Sequence, residues 1–155
     1  MVREEKKMEA GSRENTGREW MKLEIESRSQ NEEFARVAVA VFMSRMDPNL
    51  EELDDVKTAV SEAVTNAIIH GYQSREGVIY IEAVVCGKEL TVVVKDTGMG
   101  ISDIKKAMEP MFTSDKTGER SGMGFSFMEA FMDQVLVVSE PGIGTTVTMK
   151  KKIGG

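Results

Sequence analysis

Seven apolar residues, Val56, Ala59, Val60, Ala63, Val64, Ala67 and Ile68, recur at i, i+3, i+4, i+7, i+8, i+11 and i+12 without a break. A 3.6-residue period sustained that long puts all seven on one stripe of an α-helix, and such a stripe has to be covered. The flanking segments supply the cover. Val78–Cys86 and Glu89–Lys95 read as two strands joined by a tight turn at Gly87-Lys88. Val135–Val138 and Thr145–Lys150 read as a closing hairpin around Pro141-Gly142-Ile143-Gly144, and Lys22–Ser27 as a short strand with Leu23 and Ile25 on one face. Strands that come largely as hairpins between helices predict an α+β two-layer sandwich. Its helices lie on one face of a mixed, mostly antiparallel sheet, and a doubly wound parallel sheet is disfavoured.

Asp47-Pro48-Asn49 separates the long helix from an earlier one, with Asn49 as N-cap, Glu52 three residues on, and Gly71 as C-cap. Ser29 and Glu32 read as a capping box opening the earlier helix. Its pattern predicts a buried stripe of Phe34, Val37, Ala38, Val41 and Phe42, with Arg36 almost opposite, facing water or a partner. A short helix is predicted near Ser102–Met108. A Gly- and charge-rich loop over Glu109–Gly122 follows, then a helix over Met123–Asp133 with Phe127, Met128 and Phe131 inward.

With 41% hydrophobic and 30% charged residues in 155, one folded domain is the expectation. No apolar run approaches the ~20 residues of a membrane span, and the opening stretch has no apolar signal core. The single cysteine, Cys86, forms no internal disulfide, which fits a reducing, cytoplasmic setting; with only Lys88 nearby it reads as an inert thiol. Residues 1–20 carry five acidic and five basic side chains, so the net charge of -6 belongs to residues 21–155. That acidity argues against a nucleic-acid binder with a basic surface. The first twenty residues hold too few apolar side chains to offset the entropy of ordering them. They read as a charged, disordered extension or a partner-binding arm, with Met21 as an alternative start and residues 21–155 as the domain.

Four local patterns carry chemistry. Glu62 and Asn66, four apart, share the border of the apolar helix stripe, where a carboxylate and an amide can hold a water, a hydroxyl or a hard cation such as Mg²⁺; the spacing is also that of an ordinary solvated edge. Asp96 has the parity of Leu90, Val92 and Val94, so the strand ends by projecting a carboxylate toward the helix side, followed by Gly98 and Gly100. Such a carboxylate needs a donor, for which the exocyclic amine of a purine is suited; Asp-x-Gly also marks plain turns. Arg120-Ser121-Gly122-Met123-Gly124 leads into a helix, whose N-terminus suits phosphate oxygens, and the preceding loop, with Lys116, Gly118 and Arg120, reads as a lid. Gly144-Thr145-Thr146 enters the last strand, where a hydroxyl reaches a base edge or serves strand propensity alone.

Taken in this order, the patterns resemble the GHKL (Bergerat-fold) ATP-binding superfamily. Within it, Ser29–Val37, Ser61–Tyr72, Arg120–Phe125 and Met128–Asp133 are similar to the anti-sigma serine kinases of spore-forming bacteria, a likeness spanning about residues 21–150. The resemblance implies ATP and Mg²⁺ as cofactors, with Asn66 as metal ligand and Glu62 orienting or deprotonating the attacking serine. It further implies that Asp96 binds the adenine amine with support from Thr146. Gly98, Gly100, Gly122 and Gly124 then shape the pocket and lid, Thr113, Ser114, Lys116 and Ser121 lie along the nucleotide, and Arg120 sits near the γ-phosphate. Arg36 matches an arginine that contacts protein partners. Where the family commonly has lysine directly after the lid's two hydroxyl residues, this chain has Asp115, and Lys116 falls one place later. His70, at the end of the Glu62–Asn66 helix, reads as structural or capping.

The implied function is an anti-sigma factor that inhibits the sporulation sigma factor F. As an ATP-dependent serine kinase it also inactivates the anti-anti-sigma factor, and it acts as a homodimer without direct nucleic-acid or membrane contact. The alternatives are a related kinase of a stress-response sigma factor, a nucleotide-dependent binding module without turnover, and an ATPase without a protein substrate.

Overall fold

The computed structural model describes residues 17–108 and 124–154. Five strands form one sheet: β1 (Arg18–Glu26), β2 (Val78–Cys86), β3 (Glu89–Asp96), β4 (Gln134–Glu140) and β5 (Gly144–Lys152), in the order β1-β2-β3-β5-β4. Every pairing is antiparallel, so the sheet is antiparallel throughout rather than mixed. β1 starts at Arg18, four residues before the alternation predicts, because Arg18–Met21 pair with Ala83–Cys86 at the far end of β2. Residues 18–20 therefore belong to the sheet, and residues 1–16 lie outside the described part of the chain.

The helices are α1 (Gln30–Met43), α2 (Leu50–Asn66), α3 (Ile104–Ala107) and α4 (Gly124–Phe131). All seven residues of the stripe, five on α2 and two on the turn Ala67–Gly71 that continues it, are buried against the sheet face formed by Ile79, Ile81, Ala83, Leu90, Val92 and Val94. Its four β-branched members cost up to ~0.7 kcal/mol each in helix propensity. Burying each stabilises by about 1.5–3 kcal/mol, so burial decides. The N-terminus of α2 has the expected reciprocal cap: Glu52 N donates to Asn49 Oδ1 at 2.8 Å, and Asn49 N donates to Glu52 Oε1 at 2.9 Å. Backbone donors from Asn49 and then Gly154 hold the Glu52 carboxyl below its usual range and tie the last described residues to this helix.

α1 departs from the expectation. Ala35, Val39, Phe42 and Met43 are its buried residues, while Phe34, Val37 and Val41 are 53%, 45% and 67% exposed. The segment from Phe34 to Met43 is apolar at every position but Arg36, so two stripes were legible, and the one carrying small Ala35 against α2 is the one that packs. Arg36 is accordingly not opposite the core: it is half-buried and lies 3.9 Å from Glu32 and 3.8 Å from Glu33. Ser29 makes no side-chain cap; Glu32 instead accepts a hydrogen bond from Ser61 of α2. α3 is shorter than predicted, capped by Asp103, whose Oδ1 accepts from Lys106 N at 3.0 Å. In α4, Phe125 and Met128 are buried, whereas Phe127 and Phe131 stack on each other at 6.1 Å, half-buried. Among the described residues no helix is long and apolar enough to cross a membrane.

Candidate functional site

A cavity of about 210 Å³ opens between the C-terminal half of α2, the ends of β3 and β5, the 97–102 loop and the start of α4. Strand parity builds its floor. Asp96 follows Leu90, Val92 and Val94 onto the helix-covered face and is 6% exposed. Asp96 Oδ1 accepts from Gly98 N at 2.9 Å, and the backbone of Thr145 also donates to this carboxyl. Burial nevertheless pushes its pKa up, because these two bonds recover only part of the lost hydration. A carboxylate offers about four lone-pair directions, so it retains acceptor capacity toward a donor in the cavity.

Close backbone approach explains the glycines. Gly71 does not end the helix in a left-handed cap. The last turn, Ala67–Gly71, widens to π geometry, Tyr72 N donates to Ala67 O at 2.9 Å, and the left-handed residues come later, at Gln73 and Ser74. A Cβ at Gly71 would lie 2.8 Å from Asp96 Cγ, so the missing side chain is what lets the carboxylate sit under the helix. At Gly98 a Cβ would fall 2.0 Å from Gly71 O, whose acceptor is taken by Met99 N at 2.9 Å. Gly98→Ala is therefore expected to force the loop off α2 and to destabilise the fold by about 1–3 kcal/mol, the usual cost of overpacking. Chemical denaturation checks this.

Asn66 lines the cavity and touches the start of α4, where a Cβ on Gly124 would come within 2.7 Å of Asn66 Nδ2. Gly100 also lines the cavity; it has φ 75° and sits where a Cβ would meet Glu140 O at 2.1 Å. Glu62, one turn before Asn66, is half-buried and is not among the residues that line the cavity. Thr146 is not there either: β5 alternates, with Thr145, Val147 and Met149 buried and Thr146 and Thr148 on the other face. The hydroxyl beside Asp96 is that of Thr145, 8% exposed. His70, read as structural, lines the cavity one turn beyond Asn66. Arg36 lies on α1, away from the cavity walls. Thr113, Ser114, Lys116, Arg120, Ser121 and Gly122 fall outside the described residues.

Tyr72 and Ser139 are positioning residues that the sequence patterns do not single out. Tyr72 Oη donates to Val78 O at 2.5 Å and accepts from Thr97 N at 2.8 Å, anchoring the loop that follows Asp96. Ser139 Oγ accepts from Ile101 N at 2.7 Å, donates to Gly144 O at 3.0 Å and lies 2.8 Å from Thr145 Oγ1. The signal for Ser139 was a lone hydroxyl ending the apolar run Val135–Val138. Among the described residues no three His, Cys, Asp or Glu side chains cluster as a metal site. A divalent cation at Asn66 would therefore complete its shell from phosphate and water, as Mg²⁺ commonly does. A buried acceptor, a glycine-framed cavity and an amide oxygen at its rim fit an adenine nucleotide with Mg²⁺.

Comparison with known proteins bears on the same region. A family model described as the histidine kinase-like ATPase domain matches residues 25–151. The chain is similar to the anti-sigma F factor of Clostridium kluyveri, 59% identical over 131 residues that make up 84% of this chain and 92% of that one. It is similar also to the anti-sigma F factor of Clostridium acetobutylicum, 60% identical over 132 residues, 85% of this chain and 92% of that one. Among solved structures, the RsbU and RsbW domains of Rv1364c from Mycobacterium tuberculosis share the fold. The TM-score is 0.64 at 19% identity, covering 87% of this chain and 32% of that one.

Proposed function

Because the chain belongs to the histidine kinase-like ATPase domain family, and within it to the anti-sigma F factors, we propose that it is an ATP-dependent serine protein kinase of the cytoplasm. As a homodimer it binds and inhibits the sporulation sigma factor F, and it inactivates the anti-anti-sigma factor by phosphorylating a serine. The observation that carries the nucleotide half of this reading is the buried Asp96 carboxylate at the floor of the cavity.

When bound, Mg²⁺-ATP supplies the transferable phosphoryl group and the charge that neutralises it. What remains for the chain is positioning and electrostatics, the main demands of phosphoryl transfer. Asp96 would accept from the adenine amine, and the missing side chains of Gly71 and Gly98 let the carboxylate and its loop sit against the helix end. Asn66 offers an uncharged oxygen to the cation. Glu62, on the same helix edge, orients the serine hydroxyl and takes its proton. The family resemblance implies that Thr113, Ser114, Lys116, Arg120, Ser121 and Gly122 would serve the phosphates, with Arg120 toward the γ-phosphate, and that Arg36 on α1 would meet protein partners. The net charge of -6 complements a basic, DNA-binding sigma factor.

The anti-sigma half is tested by retention of purified sigma factor F on the immobilised chain with and without Mg²⁺-ATP. Retention that rises with ATP and falls when the anti-anti-sigma factor is added is the expected result. Equal retention in all three conditions contradicts it. A stress-response sigma factor run in parallel decides which sigma the chain prefers.

A further inference from the structure

Ser139, near the end of β4, does not line the cavity, yet its hydroxyl makes three contacts beside it. A serine hydroxyl has one proton to give and two lone pairs to receive. Ile101 N, at 2.7 Å, can only donate, and Gly144 O, at 3.0 Å, can only accept. The Ser139 proton is therefore committed to Gly144 O, and one lone pair remains for Thr145 Oγ1 at 2.8 Å. The Thr145 hydroxyl is then the donor in that contact. It turns lone pairs, and no proton, toward whatever occupies the cavity that Thr145 lines.

Asp96 and Thr145 are cross-strand partners on β3 and β5, 6% and 8% exposed. As a carboxylate, Asp96 also offers only acceptors. This end of the cavity thus presents two acceptor side chains next to each other. A 6-amino purine meets that pattern with the two hydrogens of its exocyclic amine. A 6-oxo purine in the same pose sets a carbonyl oxygen against both acceptors and leaves them unpaired. Sites built to hydrogen-bond one group reject the analogue that lacks it, because their own buried polar groups lose their partner. A freely turning Thr145 hydroxyl would escape that penalty by donating to the oxo group. Ser139 removes the escape.

We propose that Ser139 is a positioning residue for base selection: by fixing the Thr145 hydroxyl as an acceptor, it makes the cavity prefer 6-amino over 6-oxo purine nucleotides. The proposal rests on the nucleotide reading above and names the residue outside the cavity that sets the choice of base.

Isothermal titration calorimetry of the full chain with Mg²⁺-ATP and Mg²⁺-ITP tests it, because inosine carries the 6-oxo group without a 2-amine. Wild type should prefer ATP. Ser139→Ala should lower the ATP-to-ITP affinity ratio about three- to tenfold, the worth of one neutral hydrogen bond. Ser139→Thr, which keeps the hydroxyl, should restore the ratio. Should Ser139→Ala not fold by circular dichroism, Ser139→Cys, close in size and weak in hydrogen bonding, takes its place. Thr145→Val removes the acceptor directly and should lower the ratio by a similar factor, with no further loss when Ser139→Ala is added. Equal losses of both affinities in Ser139→Ala, with the ratio kept, would make Ser139 a loop tether only and overturn the proposal. So would a ratio that Ser139→Ala still lowers in the Thr145→Val background. Wild type that binds ATP and ITP equally overturns base selection and leaves the nucleotide site standing. Wild type that binds neither overturns the nucleotide reading itself.

Discussion

Asp96→Asn is expected to weaken ATP binding by about two orders of magnitude without destabilising the protein. The amide keeps the shape and can still accept from Gly98 N, but it turns a donor toward the adenine amine. Two donors left facing each other in a buried site cost about 1–3 kcal/mol, near the upper end here because the group is 6% exposed. The stability half of the prediction comes from the raised pKa. In the range between the ordinary aspartate value and the raised one, the folded state binds more protons than the unfolded state, so stability falls as pH rises through that window. Above it, wild type carries the full cost of a buried charge, and Asp96→Asn does not. Thermal unfolding of the nucleotide-free protein at neutral pH should therefore show the variant no less stable than wild type. Isothermal titration calorimetry should show wild-type ATP affinity decreasing as pH drops through the raised pKa, because the protonated carboxyl is a poorer acceptor. Unchanged affinity in the variant would remove adenine from this end of the cavity.

Glu62→Ala separates catalysis from binding. Glu62 is not among the residues that line the cavity, and Asn66 is; loss of the carboxylate should leave ATP affinity within a few-fold of wild type. Turnover should fall by about 10²–10⁴-fold, the range for removal of a positioned general base. Single-turnover phosphotransfer with saturating Mg²⁺-ATP is the measurement. A variant that transfers phosphate at the wild-type rate would assign serine activation to another group and favour Glu62 as an ordinary polar residue on the helix edge.

How far the sequence reveals this molecule depends on how many alternatives each segment leaves open. In α2 the apolar residues occupy one stripe and polar residues fill the rest, so only one face can be buried, and the structure buries it. β3 is equally determinate: apolar parity leads straight to Asp96, and the carboxylate lies where that parity sends it. α1 is different because Phe34–Met43 is apolar almost throughout. Periodicity then has two solutions, and only the fit of Ala35 and Val39 against α2 and the sheet selects one. Gly144-Thr145-Thr146 shows the same ambiguity in a strand. Two hydroxyls follow one glycine, and a shift of one residue moves the site to the opposite face. Apolar Val147 and Met149 carried the missing parity, which assigns Thr145 to the cavity. The local pattern makes Gly71 a helix stop, but its actual constraint is the approach of Asp96, a contact between residues 25 apart that no local pattern records. The hydrogen bonds of Tyr72 and Ser139 are likewise properties of the assembled loops.

The proposed reaction is phosphoryl transfer to a serine of another protein. It is tested most directly by intact-mass and fragment mass spectrometry of an anti-anti-sigma factor incubated with this chain and Mg²⁺-ATP. One phosphoserine is expected, absent without ATP and strongly reduced with Asp96→Asn or Glu62→Ala. An unmodified substrate after incubation with wild-type protein that demonstrably binds ATP would contradict it.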